Sequence, residues 1–389
     1  MNRHLWLLTL CQGLFLTNGI TFTAINGLVG LSLAPSGWMA TLPIMSYVVG
    51  GAVSTGLVAK TQTRFGRKAS FQLGLAVALL SCLLCAYATL SKNFWLLCSA
   101  TMVAGYYSAN ANLYRFAAAE LAAPAWREKA VSLVLAGGLI GAVIGPNLAQ
   151  QTRSLMSVPF AGAYLALSLI ALLAMLLLAF IEFAPPPPKR SGVDSVGRPL
   201  SQIMRQPVFI VAATCGSLGY GVMNLLMAAT PLAMQQCGLP FSDAALVLQW
   251  HVIGMFAPGF VTGHLIKRFG ALPVMVVGLA LNVLCILIAL SGIDLHQFLI
   301  ALFLLGVGWN FLFTGSTTLS LQTYTLEEKD KAQGALNFFV FATLALSSFS
   351  SGVLVTTSGW QVLNYGSLLP VGLIGGALFW LARSQRRAV

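Results

Sequence analysis

The chain contains 389 residues, of which 58% are hydrophobic and only 8% are charged. Because a soluble domain carries roughly 25% charged residues, this composition excludes an ordinary water-soluble protein and indicates a chain that has lipid as its solvent. The formal net charge of +12 predicts no nucleic-acid partner, since nearly all Lys and Arg residues fall in inter-span segments on one predicted side of a membrane.

Twelve apolar segments are each long enough to cross a bilayer, which requires about 20 mainly apolar residues. The first six are predicted at residues 5–29, 36–59, 68–91, 94–121, 129–152 and 158–183. The second six are predicted at residues 207–235, 242–265, 272–292, 296–322, 332–357 and 360–382. Basic residues concentrate in alternate loops, so both termini are expected in the cytoplasm and the multi-pass chain in the inner (plasma) membrane.

The tripeptide Arg-Phe-Gly occurs at residues 64–66, after the second span, and again at 268–270, after the eighth. Between the two halves, four consecutive prolines and a polar stretch cannot continue a helix. This duplication predicts an all-α membrane fold of twelve helices in two pseudo-symmetric six-helix bundles. The bundles are predicted at residues 1–183 and 207–389, with a cytoplasmic linker at 184–206.

The turns after the second and eighth spans share a basic, glycine-containing pattern: Arg64, Gly66, Arg67 and Lys68 in the first, Gly263 and Arg268 in the second. With six plus six spans, this pattern resembles the signature of the major facilitator superfamily. The resemblance implies a secondary transporter that works by alternating access, with both turns in its gating machinery. The family signature has an acidic residue where this chain has Thr63 and Lys267, which implies weaker contacts than the family's ion-pair latch.

Gly141, Gly145 and Pro146 in the fifth span resemble the core of a motif that is typical of drug–proton antiporters in that family. With Gly137, the glycines form a stripe on one helical face that permits close approach of a second helix, and the proline permits a bend. A conformational interface and ordinary helix packing both fit this stripe. The Arg that the antiporter branch carries in its fourth span is Thr101 here.

The resemblance implies a substrate cavity lined by spans 1, 4, 7 and 10. Asn18 and Asn224 lie near the middle of spans 1 and 7, so they are predicted to face each other across this cavity; the alternative is interhelical hydrogen bonding. Four further cavity candidates combine aromatic and amide side chains, which suit an amphipathic or planar solute: Tyr106, Asn110, Trp309 and Asn310. Ordinary packing is the alternative for each of them.

His251 is the titratable residue predicted closest to the membrane midplane. Because imidazole titrates near neutral pH, His251 is a candidate for proton coupling; the alternative is a neutral ring bonded to a neighbouring helix. Arg115 and Glu120 lie toward the cytoplasmic end of span 4, where a gating role and an interfacial role are both open.

The predicted function is secondary active transport of a small amphipathic organic solute, with proton-coupled export as the first interpretation. Uptake of a nutrient, metabolite or chelate, anionic if Arg115 is its counter-charge, is the alternative. An intramembrane enzyme or a receptor is more remote, because no nucleophile–base or metal-ligand constellation accompanies the spans. We therefore expect no enzymatic activity, cofactor or metal. The expected partners are the solute, the lipid bilayer and coupling protons, and the chain is expected to be a monomer.

Overall fold

The computed structural model describes residues 3–123, 126–183, 197–325 and 328–387, and their regular secondary structure is helical. The first group of helices is α1 (Arg3–Leu33), α2 (Leu42–Leu90), α3 (Phe94–Ala111), α4 (Tyr114–Leu121), α5 (Arg127–Ala136), α6 (Gly138–Thr152), α7 (Ala161–Ala179) and α8 (Leu200–Met204). The second group is α9 (Pro207–Gln236), α10 (Phe241–Phe256), α11 (Gly259–Phe269), α12 (Ala271–Ser291), α13 (Leu295–Ser320), α14 (Lys329–Thr357) and α15 (Gly359–Arg387). Helices satisfy every backbone polar group internally, which the apolar interior of a bilayer requires.

Ten helical segments among the described residues are long and apolar enough to cross a membrane. Spans 2 and 3 count as one of these because they adjoin within α2, but a kink at the non-helical residue Gly66 separates them into two helices. Span 4 is absent from the ten, since it divides into α3 and α4, and α3 carries the polar side chains of Tyr106, Tyr107 and Asn110. Among the described residues, helices thus cover all twelve predicted spans, and spans 4, 5 and 8 are each divided into two helices.

The repeated Arg-Phe-Gly tripeptide has the same backbone conformation in both copies. Gly66 has φ 78° and ψ 171°, and Gly270 has φ 89° and ψ 161°. This region is essentially restricted to glycine. In each copy the arginine lies over the following phenylalanine ring, 5.2 Å from the centroid in the first and 5.1 Å in the second. The sequence repeat is thus a repeated structural turn.

Spatially, the chain divides into two units. Unit 1 contains Met1–Pro187 and Ala228–Gln249, and unit 2 contains Pro188–Met227 and Trp250–Val389. The predicted bundle boundary stays a prediction, because most of the linker, residues 184–196, lies outside the described residues.

In unit 1, the first half of α2 and α3 cross with their backbones in contact. A Cβ atom on Gly50 would meet the backbone of Met102, and one on Gly105 would meet the backbones of Gly50 and Gly51. Such small residues allow membrane helices to associate through van der Waals packing. Unit 2 has the same close backbone packing at a glycine between α10 and α13, where a Cβ on Gly306 would meet the backbones of His251 and Gly254.

Candidate functional site

Four aromatic side chains gather in unit 2, and we call them the aromatic group: Tyr220 of α9, Phe256 of α10, and Trp309 and Phe313 of α13. Trp309 and Phe313 stack with an interplanar angle of 11° and centroids 5.2 Å apart. The Tyr220 ring stands nearly perpendicular to both, at 5.1 Å and 5.3 Å. Three helices therefore present aromatic surface at one place, which suits a planar, partly apolar solute.

The amide of Asn310 lies beside this group and is hydrogen-bonded to two neighbouring helices. Its Oδ1 accepts a hydrogen bond from Thr262 Oγ1 at 2.6 Å, and its Nδ2 donates to the carbonyl of Met255 at 2.7 Å. Asn224 Nδ2 donates to the hydroxyls of Ser347 and Ser348 on α14, at 2.9 Å and 2.8 Å. These contacts are the interhelical hydrogen bonds of the alternative interpretation, so contact of either amide with solute stays a prediction.

His251 is fully buried where α10 meets α13. Its Nδ1 lies 2.6 Å from the carbonyl oxygen of Leu302. Because a carbonyl only accepts, Nδ1 carries the proton and the neutral ring has its lone pair on Nε2. Nε2 has no hydrogen-bond partner in the described part of the chain. The contact matches a neutral histidine bonded to a neighbouring helix, and the proton-coupling role stays a prediction.

In unit 1 the predicted cavity residues of span 4 belong to a hydrogen-bonded network. Thr61 Oγ1 lies 3.0 Å from Ser70 Oγ and 3.1 Å from Tyr106 Oη, and Ser70 Oγ donates to Asn110 Oδ1 at 2.9 Å. Thr61 and Ser70 flank the Gly66 turn, so the network ties both arms of that turn to α3. Tyr106 also lines an apolar cavity of about 530 Å³ between α2 and α3.

Asn18 of α1 is buried, and its Nδ2 lies 3.5 Å from the sulfur of Cys82 in the second half of α2. This side chain is therefore directed at a neighbouring helix of unit 1. Sulfur is a weak acceptor, so the contact is a weak one. A cavity role for Asn18 stays a prediction that this contact does not favour.

The first Arg-Phe-Gly turn is tied to the end of span 4 by an ion pair between Arg67 and Glu120. Glu120 thus supplies a carboxylate that the turn itself lacks at Thr63. The guanidinium of Arg115 lies over the Phe116 ring, 4.9 Å from its centroid. Lys68 Nζ donates to the carbonyl of Ala179 at the end of α7, a favourable place for a cation. The sequence indicated the basic residues but gave no signal for the Arg67–Glu120 pairing.

The glycine stripe of span 5 packs against α1 inside unit 1. A Cβ on Gly141 would meet Leu16 and Thr17, and one on Gly145 would meet Ile20. The helix continues through Pro146, while the break in this span lies at Gly137, between α5 and α6. Ordinary packing thus explains the stripe, and a role in conformational change stays a prediction.

Two groups that sequence reasoning missed lie at opposite predicted sides of the membrane. On the outer side of unit 1, Phe160 packs against Phe241 with ring centroids 4.9 Å apart, and Arg153 lies over both rings. Nearby, Asn147 Nδ2 donates to Gln249 Oε1, and a Cβ on Gly27 would lie 3.5 Å from Leu232 Cγ. We call these contacts the outer contact; residues 228–249 provide one side of each.

On the cytoplasmic side of unit 2, Arg198 at the end of the linker binds Glu328, which precedes α14. Its backbone N and Nε donate to Oε1, both at 2.8 Å, and its Nη2 donates to Oε2 at 2.7 Å. The Glu328 side chain is only 3% exposed. The side-chain hydrogen bonds from Arg198 lower the pKa of Glu328 from 4.5 to about 2, against the opposing effect of burial.

The sequence model of the Major Facilitator Superfamily matches residues 5–257 and 212–389. The chain belongs to this superfamily. A solved bacterial homolog of the human lysosomal transporter Spinster, in an inward-facing and occupied conformation, has the same fold. It aligns with a TM-score of 0.75 at 15% identity, covering 97% of this chain and 96% of that chain. This Major Facilitator Superfamily member is therefore a multi-pass membrane transporter and not an enzyme.

Known relatives match nearly the whole chain. The riboflavin transporter RfnT of Brucella anthropi is 36% identical over 364 residues, which are 93% of this chain and 92% of that protein. The uncharacterized MFS-type transporter YddS of Bacillus subtilis is 27% identical over 387 residues, 95% of this chain and 88% of that protein.

Proposed function

We propose that this transporter carries riboflavin, or a close flavin, into the cell. The observation that carries this proposal is the 36% identity to a riboflavin transporter over nearly the full length of both chains. No insertion of a further domain is needed to align them, so the whole transport machinery is comparable.

The chemistry of the aromatic group supports a flavin. An isoalloxazine ring is planar and aromatic with amide-like polar edges, and its ribityl tail carries hydroxyls. Offset stacked and edge-to-face contacts with such a ring are each worth about 0.5–1.5 kcal/mol beyond burial. The helices α9 and α13, which supply Tyr220, Trp309 and Phe313, contain no Asp, Glu, Lys or Arg. A neutral ring therefore suits this place better than an anionic metabolite.

The proposed direction is uptake, because a vitamin is a nutrient and nutrient uptake was the alternative interpretation of the sequence. The partial antiporter motif in span 5 does not favour export over uptake, and its glycines pack against α1. Proton coupling through His251 is a separate proposal, supported by its burial and by its lone pair on Nε2.

Uptake of radiolabelled riboflavin by a riboflavin-auxotrophic bacterium tests the proposal. Cells that express the chain should accumulate label above cells with an empty vector, and unlabelled riboflavin should compete. Ribitol, which has the polyol without the ring, is the matched control and should not compete. Accumulation equal to the empty vector would refute flavin transport, and accumulation below it in preloaded cells would show export instead.

We also propose the topology and assembly expected from the sequence: cytoplasmic termini, two six-helix bundles joined at residues 184–206, and a monomer. The distribution of basic residues supports the orientation. Labelling of single cysteines added at each terminus in intact cells and in inverted vesicles tests it. Reaction of either terminus from outside intact cells would overturn the orientation.

A further inference from the structure

One face of α13 carries two buried polar atoms beside the aromatic group. Trp309 is 7% exposed and Ser316 is 4% exposed. Neither Trp309 Nε1 nor Ser316 Oγ has a hydrogen-bond partner among residues 3–123, 126–183, 197–325 and 328–387. Burying a donor without a partner is unfavourable, and native structures rarely tolerate it without a reason.

Other hydroxyl and indole donors of unit 2 are satisfied, in contrast to these two. The hydroxyls of Thr317, Thr318 and Ser320 each donate to a carbonyl of α13 itself. Trp360, which at 6% exposure is as buried as Trp309, donates its indole N–H to the carbonyl of Ala289 at 3.2 Å. Hydroxyls in membrane helices ordinarily bond in this way to the preceding turn, so the free Ser316 hydroxyl is directed elsewhere.

The two free donors share a helical face with the stacked aromatic ring. Trp309, Phe313 and Ser316 occupy positions i, i+4 and i+7, which lie above one another on one side of a helix. The opposite wall is α9: Tyr220 contacts Trp309 and Phe313, and a Cβ on Gly216 would lie 3.3 Å from the Cβ of Ser316. Trp309 and Ser316 are separated by two turns, roughly 10 Å along the axis.

We propose that this face of α13 is the flavin-recognition surface, with the Trp309 indole N–H donating to an acceptor on the isoalloxazine edge and the Ser316 hydroxyl binding the ribityl tail. Phe313 and Tyr220 contact the ring plane. The inference rests on the proposed flavin substrate and assigns the parts of that substrate to residues. It also gives different roles to the adjacent residues Trp309 and Asn310. The indole of Trp309 faces the solute, whereas the Asn310 amide hydrogen-bonds to α10 and α11.

The test compares two substitutions, each of which removes one hydrogen-bond donor. It also compares two ligands, which differ in whether they carry the ribityl tail. Lumichrome has the three-ring system without the ribityl tail. Equilibrium binding of radiolabelled riboflavin to the purified full chain is measured directly, and lumichrome binding is measured by competition. Trp309→Phe should raise the Kd of both ligands about three- to tenfold, the effect of one lost neutral hydrogen bond. Ser316→Ala should raise the Kd of riboflavin by a similar factor and leave that of lumichrome unchanged.

The matched controls are Trp360→Phe and Ser320→Ala, whose donors bond to the protein itself. Trp360→Phe should lower the Tm and leave both Kd values unchanged. Trp309→Phe should lower the Tm by less, because both variants lose buried indole packing but only Trp360→Phe also breaks an internal hydrogen bond. The inference is overturned if wild-type protein binds riboflavin and both Trp309→Phe and Ser316→Ala bind it equally well. If wild-type protein binds no flavin, the proposed substrate itself fails, and the assignment falls with it.

Discussion

The sharpest stability prediction concerns the two glycines of the repeated turn. Gly66 and Gly270 adopt φ values of 78° and 89° with ψ values of 171° and 161°, a conformation that costs a residue with a Cβ about 1–3 kcal/mol. The penalty at Gly270 is one of backbone strain and not of crowding, since a Cβ there would lie 3.8 Å from its nearest neighbour. Gly66→Ala and Gly270→Ala should therefore each destabilise the protein by that amount.

The matched controls are helical glycines close to the same turns. Gly56 and Gly263 have nothing within 4 Å of an added Cβ, and alanine is the better helix former by about 1 kcal/mol. Gly56→Ala and Gly263→Ala should be neutral or stabilising, so each turn variant should melt below its control. Thermal unfolding of purified protein, followed by intrinsic tryptophan fluorescence, measures the difference. Turn variants that melt at or above their controls would refute the reasoning.

Three further predictions concern the outer contact, the linker and coupling. A disulfide between Gly27→Cys and Leu232→Cys should stop riboflavin uptake, because alternating access requires the outer contact to open. A reductant should restore uptake, and uptake by the cross-linked protein would contradict this prediction. The folded-state pKa of Glu328 is lowered to about 2 from 4.5, so its stabilising effect is present above about pH 4.5 and is lost as the pH falls toward 2. The Tm of wild-type protein should accordingly fall between pH 5 and pH 3 more steeply than that of Glu328→Gln, and equal slopes would show that the Arg198 contact contributes nothing. If His251 carries a coupling proton, His251→Gln should abolish the response of uptake to an imposed pH gradient, and an unchanged response would remove that role.

The fold was largely predictable because its determinants are local in the sequence. Apolar length fixes the number of crossings, and the Arg-Phe-Gly tripeptide marks a turn whose backbone only glycine adopts readily. The interruptions within spans 4, 5 and 8 were not predictable, since apolar length does not report where a helix is interrupted.

The hydrogen-bond and ion-pair partners of the polar side chains could not be predicted from the sequence. Asn18 lies against Cys82, and Glu120 pairs with Arg67 across 53 positions, because helix packing and not sequence spacing brings these groups together. The free hydroxyl of Ser316 was missed for a related reason. A serine in a membrane helix ordinarily bonds its own backbone, so its sequence context gives no sign that it does otherwise.

Counterflow in proteoliposomes tests the central claim most directly, since it needs only the purified chain, lipid and solute. Vesicles loaded with unlabelled riboflavin are diluted into buffer that contains a trace of labelled riboflavin. A riboflavin carrier that works by alternating access should concentrate the label transiently inside the vesicles, well above protein-free liposomes. Label that never exceeds the protein-free level, in vesicles whose protein is shown to be folded, would contradict the account.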